Sequence, residues 1–198
     1  SLTNKVPAWL RKAIAEGKKI LVLINPPYAE GWKGVDNRKG KKDVSKTKIE
    51  LLMDEYGHAA RELFVQFLVR IKHEIPSATI AIFSTLKYVN APNFEDFRKQ
   101  WDADYKGGFI VHSKAFEWLN GNFTICFLIW QTSHWDGTLS QIGEIFCEVF
   151  DKNALPIGEK KFYNTWSEQF LNNWISRPKN NKTDALPLKN AITPATST

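Results

Sequence analysis

The residues best suited to chemistry stand together as Asn25-Pro26-Pro27-Tyr28. Two consecutive prolines remove two backbone donors and fix two φ angles. Asn25 precedes a proline and is pushed towards an extended conformation. Such a turn is stiff and presents acceptors without competing N–H groups: the Asn25 side-chain oxygen and the Pro26 carbonyl. Tyr28 adds a flat aromatic face. A planar amine with two N–H bonds suits this pair of acceptors, and its ring can stack on the tyrosine.

The elements around this turn must hold it. Lys19 to Ile24 is a short apolar, β-branched run, which predicts a buried strand in a sheet covered on both faces. Val6 to Ile14 predicts a short helix, with Pro7 in its first turn, Trp9 and Leu10 on its core stripe, and Gly17 to end it. Residues 29–48 are rich in Gly and Lys without periodicity and read as a long exposed loop. Ile49 to Glu74 has helical spacing through Ala60, Leu63, Phe64, Phe67, Leu68 and Ile71. Ala78 to Phe83 predicts a second strand. Asn93 is placed to cap a helix from Phe94 to about Trp101. Gly107-Gly108 reads as a break. Phe109–His112 and Phe123–Gln131 then form two strands joined through Asn120-Gly121-Asn122. Glu144–Phe150 predicts one more strand, turned by Asp151-Lys152-Asn153, and Phe162–Ile175 a weak helix. The layout is α/β, a class that places its sites at the carboxyl ends of its parallel strands.

Charge is unevenly distributed. The chain has 198 residues, 43% hydrophobic and 24% charged, with a net charge of +6. That is long enough for a buried core and too apolar for a disordered chain. Residues 33–48 carry seven basic and two acidic groups, whereas 49–176 carry eleven basic and sixteen acidic. A dense basic loop on an acidic body points to a polyanion held at one place. Lys33, Arg38, Lys39, Lys41 and Lys42 are the candidate phosphate contacts, positioning a nucleic acid rather than reading bases. Cys126 and Cys147 are too few for a disulfide scaffold and read as core thiols, in keeping with a cytoplasmic home. His58, His73, His112 and His134 are scattered without metal-ligand spacing, so no metal is expected. No apolar run is long enough to span a bilayer. Trp101 reads as core, and Trp32 as a stacking contact beside the motif.

Val22-Leu23-Ile24-Asn25-Pro26-Pro27-Tyr28 resembles the catalytic motif of amino-group DNA methyltransferases of the N6-adenine type. The resemblance implies part of a Rossmann-like, S-adenosylmethionine-dependent methyltransferase sheet ending in an antiparallel hairpin. It implies that Asn25 and the Pro26 carbonyl accept hydrogen bonds from the target amine, with Pro27 stiffening the turn and Asn25 also near the cofactor. Tyr28 would stack on a base flipped out of double-stranded DNA, since the amine is unreachable inside the stack. The stretch Ala115–Ile125 is similar to the family's hairpin region, with Phe116, then Phe123, as the second stacking residue. Restriction–modification is the implied setting.

One part of the family pattern is missing. Its glycine-rich cofactor turn, Phe-x-Gly-x-Gly after a strand, does not occur in this sequence. The expectation is therefore a catalytic-motif half over residues 1–133, an added β/α extension over 134–176 and a linker or disordered tail over 177–198. The opening Ser-Leu rather than Met agrees with a piece of a longer protein, which could also carry recognition or nuclease domains. This piece alone is expected neither to bind S-adenosylmethionine tightly nor to methylate DNA. Two other readings share the motif: a methyltransferase acting on protein glutamine or RNA amino groups, and a non-catalytic DNA-binding module.

Overall fold

The computed structural model describes residues 6–27, 49, 52–117, 119, 121–132 and 142–164. The chain divides into two compact units, Ser1–Ser167 and Glu168–Thr198, and all described residues belong to the first. In chain order the elements are helix α1 (Ala8–Ala15), strand β1 (Leu21–Ile24), a 3-10 segment (Asp54–Arg61), α2 (Leu63–Glu74), β2 (Thr79–Ser84), α3 (Lys87–Asn90) and α4 (Glu95–Gln100). They continue with β3 (Ala103–His112), β4 (Thr124–Thr132), β5 (Glu144–Phe150) and β6 (Pro156–Tyr163). No described helix is long and apolar enough to cross a membrane.

The six strands form one open mixed sheet in the order β1-β2-β4-β3-β5-β6. β1 and β2 are parallel, and so are β3 and β5. β4 is the return strand of a hairpin and sits between β2 and β3, antiparallel to both. β6 closes the sheet antiparallel to β5. The fold is mixed α/β, as the sequence predicts.

Strand alternation sends two sets of side chains to opposite faces. Ile80, Ile82, Cys126, Leu128, Trp130, Ile110, Ile145 and Cys147 share one face and pack with Phe64, Val65 and Leu68 of α2 and with Tyr88, Phe97 and Trp101. Aromatic contacts run through this core. Trp101 stacks on Phe97 at 5.2 Å and meets Trp130 edge-on at 6.0 Å. Trp130 donates its indole N–H to the Tyr88 hydroxyl at 2.9 Å, so neither buried polar atom is orphaned. Cys126 and Cys147 are buried free thiols, as expected.

Several sequence expectations fail for identifiable reasons. β1 is not buried on both faces: Leu21 and Leu23 are 68% and 67% exposed. It has one neighbour, β2, and no described element covers its Leu21 and Leu23 side. Trp9 is 71% exposed, because α1 turns Leu10 and Ile14 towards the core instead. The helical pattern over 49–74 divides at Gly57, whose φ of 54° breaks the 3-10 segment ahead of α2. Asn93 does not cap α4: its amide meets His58 Nδ1 at 3.2 Å, and α4 begins after Phe94 with no side-chain cap.

Gly107-Gly108 is not a break, since β3 runs straight through it. A bulge falls between Tyr105 and Gly107. A Cβ at Gly108 would overlap the Phe127 carbonyl oxygen of β4, so glycine there permits close pairing of the strands. Phe162 and Tyr163 end strand β6 rather than opening a helix. Lys160 and Lys161 disguise that strand, because β6 is an edge with its side chains largely in water.

Candidate functional site

The parallel strands run the same way, so their carboxyl ends gather at one edge of the sheet. Ile24 of β1 is level with Ile82 of β2, and Ser84 with Cys126 near the start of β4. His112 at the end of β3 is level with Thr124, and Phe150 at the end of β5 with Val111. Asn25, Pro26 and Pro27 emerge at this edge. Pro26 is buried while Asn25 and Pro27 are exposed. The chain direction is thus fixed at Pro26, and Asn25 is reachable from solvent. Tyr28 lies outside the described residues, and so do Lys33, Arg38, Lys39, Lys41, Lys42 and Trp32.

Continuing the alternation of β1 puts Asn25 on the side of the sheet opposite the helical core, the side that carries Phe83. An aromatic cluster occupies that side. Phe83 lies 4.6 Å from Phe127, Phe127 stacks with Phe109 at 5.2 Å, and Phe109 meets Phe150 edge-on at 5.4 Å. Phe116, from the β3–β4 connection, meets Phe83 edge-on at 6.2 Å and keeps 36% of its surface exposed. A cavity of about 290 Å³ opens here, lined by Phe83, Phe109, Val111, Phe116, Phe150 and Ala154 among others. Strand spacing of about 4.8 Å puts Phe83 one strand from the level of the turn. The Phe116 ring, 6.2 Å beyond Phe83, is therefore no more than about 11 Å from it.

Phe123, the second stacking candidate, is 38% exposed immediately before β4. It makes no ring contact with Phe83, Phe109 or Phe127. Its backbone instead ties the hairpin to Ser113. The Ser113 N–H donates to the Phe123 carbonyl at 2.9 Å. The Ser113 hydroxyl donates to the Gly121 carbonyl at 2.8 Å and accepts the Phe123 N–H at 3.2 Å. Ser113 is fully buried and sets the path of the loop bearing Phe116. Sequence reasoning missed Ser113, Phe83, Phe109 and Phe150. The signal for the three aromatics was available: each sits at or near the carboxyl end of a strand.

The β5–β6 turn completes the edge. The Asp151 carboxylate accepts the N–H of Asn153 at 2.8 Å and of Leu155 at 2.9 Å, and these bonds hold its pKa below the usual carboxylate value. This clamp holds Ala154 at a φ of 60° where it lines the aromatic cavity. On the core side of the same edge, burial pushes the Cys126 thiol up to about 12, with the Ser84 hydroxyl 3.3 Å away partly offsetting it. That thiol is a neutral core group and not a nucleophile.

The described residues do not fit a site for a dinucleotide-like cofactor. Such a site needs a glycine turn between a strand end and a helix start. The described glycines lie elsewhere: Gly17 after α1, Gly57 in the 3-10 segment, Gly107 and Gly108 in β3, Gly121 in the hairpin loop, Gly143 before β5, and Gly158 in β6.

No family model matches the chain, and no curated protein matches it. Among solved structures it is similar to the ATP-dependent Type ISP restriction-modification enzyme LlaBIII bound to DNA, at 15% identity and a TM-score of 0.43 over 72% of this chain. It is similar to a nuclease-deletion mutant of the Type ISP enzyme LlaGI in complex with a DNA substrate mimic, at 14% identity and a TM-score of 0.43 over 76%. A third similar structure is a modification subunit assigned to a type I restriction enzyme of Vibrio vulnificus YJ016, at 11% identity and a TM-score of 0.38 over 68%. The chain spans 10%, 15% and 28% of those chains, respectively. At these identities and TM-scores the likeness says nothing of activity.

Proposed function

We propose that this chain is the catalytic-motif half of a DNA adenine-N6 methyltransferase in a restriction–modification system. The observation that carries the proposal is the buried Pro26 beside an exposed Asn25 at the carboxyl end of β1, next to an aromatic cavity. Asn25 Oδ1 and the Pro26 carbonyl accept the two N–H bonds of a planar amine. Held this way, the nitrogen lone pair is drawn out of conjugation with the ring and becomes nucleophilic. Tyr28 stacks on one face of the flipped-out adenine, and Phe116, with its ring part exposed above Phe83, supplies the second aromatic contact. Lys33, Arg38, Lys39, Lys41 and Lys42 meet backbone phosphates and position the duplex. The methyl group comes from S-adenosylmethionine, with Asn25 close to it.

The test is methyl transfer by an intact enzyme that contains this chain. Labelled methyl should enter DNA, and Asn25→Ala should abolish uptake without unfolding the protein, because Asn25 is exposed. Label entering RNA or protein but not DNA would replace the substrate. No label in any of the three would leave a binding module and overturn the enzymatic reading.

A further inference from the structure

A second cavity at the carboxyl edge has a different chemistry. It measures about 400 Å³ and lies between the end of the β3–β4 hairpin and the β5–β6 turn. Its floor is apolar, with Ile110 and Val149, and its rim carries His112, Lys114, Thr124 and Lys152. Within the acidic body, Lys87 pairs with Glu62, Lys99 with Glu95 and Asp96, Lys106 with Asp104, and Lys161 with Glu144. Lys114 and Lys152 are exposed and make no ion pair among the described residues.

The one carboxylate in the lining, Asp151, is held in the β5–β6 turn by the N–H groups of Leu155 and Asn153 and offsets part of the Lys152 charge, so the two lysines leave the rim net positive. His112 Nδ1 accepts the Lys114 backbone N–H at 3.0 Å, which leaves its proton on Nε2 as a further donor. An apolar floor under a rim of donors and cations matches a ligand with a hydrocarbon part and an anionic part. A sugar-phosphate unit of a nucleic acid strand has that form.

We infer that this groove holds the sugar-phosphate backbone of duplex DNA flanking the modified base; the inference rests on the DNA reading above. The location fixes the distance. β3 and β5 stand three and four strands from β1 in the sheet. Counted across the strands at about 4.8 Å each, the groove lies roughly 14–19 Å to the side of the Asn25 turn, a lateral span of about 4–6 base pairs, and it opens towards the helical face of the sheet whereas Asn25 faces the aromatic side. The basic loop that follows Tyr28 and this groove therefore grip different stretches of backbone.

The experiment is fluorescence anisotropy of the full chain with a labelled duplex, measured over a salt series. Two phosphate contacts contribute about 1.8 to the slope of log affinity against log salt. The Lys114→Ala/Lys152→Ala double variant should lower that slope by between 1 and 2, while Lys114→Arg/Lys152→Arg keeps it. All four substitutions are at exposed positions, and circular dichroism checks that the fold is intact. An unchanged slope in the alanine variant, while Lys39→Ala/Lys41→Ala/Lys42→Ala lowers it, overturns the groove and leaves the DNA reading standing. A loss of slope seen with an RNA duplex but not with DNA overturns the assignment to DNA. Absence of duplex binding by the wild-type chain at low salt overturns both.

Discussion

Ser113 tests whether the hairpin is held in the way the site requires. Its hydroxyl makes two hydrogen bonds, to the Gly121 carbonyl at 2.8 Å and from the Phe123 N–H at 3.2 Å, inside a fully buried position. Ser113→Ala removes both bonds without adding bulk. Each is worth about 1 kcal/mol net, and an orphaned partner costs about 1–3 kcal/mol. The Phe123 bond is long and contributes less, while the loop can partly rehydrate, so a loss of about 2 kcal/mol is expected. At about 1.4 kcal/mol per factor of ten, the hairpin should open roughly 30-fold more often. Amide hydrogen exchange reads this directly at Phe123, with an amide of the α2 core as internal reference. Faster exchange at Phe123 with the α2 amide unchanged would locate the effect in the hairpin. On the proposed methyltransferase reading, the same variant should slow methyl transfer by an intact enzyme, through a misplaced Phe116. Exchange at Phe123 within about twofold of wild type would refute the reasoning, because the two bonds would then carry no load.

Two further outcomes follow from the packing. Gly108→Ala should destabilise the chain by about 1–3 kcal/mol in urea unfolding, because the new methyl meets the Phe127 carbonyl and Leu128; an unchanged midpoint would mean that β3 and β4 are not so closely apposed. Stability should also fall in alkali. Burial raises the Cys126 thiol from about 9 to about 12, so between these values the unfolded chain binds fewer protons than the folded one. That contribution is complete below pH 9 and is lost at up to about 1.4 kcal/mol per pH unit above it. Cys126→Ala should flatten the decline measured between pH 8 and pH 10. A slope identical to wild type would show that Cys126 takes no part.

Much of this arrangement was legible in the sequence, and the exceptions have physical causes. β2, β4 and β5 were readable because apolar residues recur in them with β-branched or aromatic neighbours. The end of β1 at Ile24 was readable because the prolines that follow have no N–H to give to a strand ladder. β6 was not, since an edge strand in water needs no apolar pattern and Lys160 and Lys161 hide it. Gly107-Gly108 misled because glycine punctuates chains in general, whereas here it removes a Cβ where two strands approach closely. Nor could local patterning reveal that Leu21 and Leu23 are exposed. Exposure depends on what lies across from β1, which no property of the β1 residues encodes.

The grouping at the carboxyl edge is a consequence of register, not of sequence proximity. Asn25, Phe83, His112, Phe116, Thr124, Phe150 and Lys152 come from segments up to 127 residues apart in the chain. They meet because β1, β2, β3 and β5 all end on the same side and because β4 returns between β2 and β3. A one-residue slip of β4 would send Phe127 to the core face and Leu128 to the aromatic side. The pairing resists this through specific contacts: the Trp130 indole bonded to Tyr88, the Cys126 thiol against Ser84, and the Thr132 hydroxyl donating to the Ala78 carbonyl at 2.9 Å. All three lie on or beside the buried core face. On the aromatic side the register has one further polar tie, the Thr79 hydroxyl donating to the Gln131 side-chain oxygen at 2.6 Å at the far end of the β2–β4 pair, so the carboxyl end of that face is left to the phenylalanine rings.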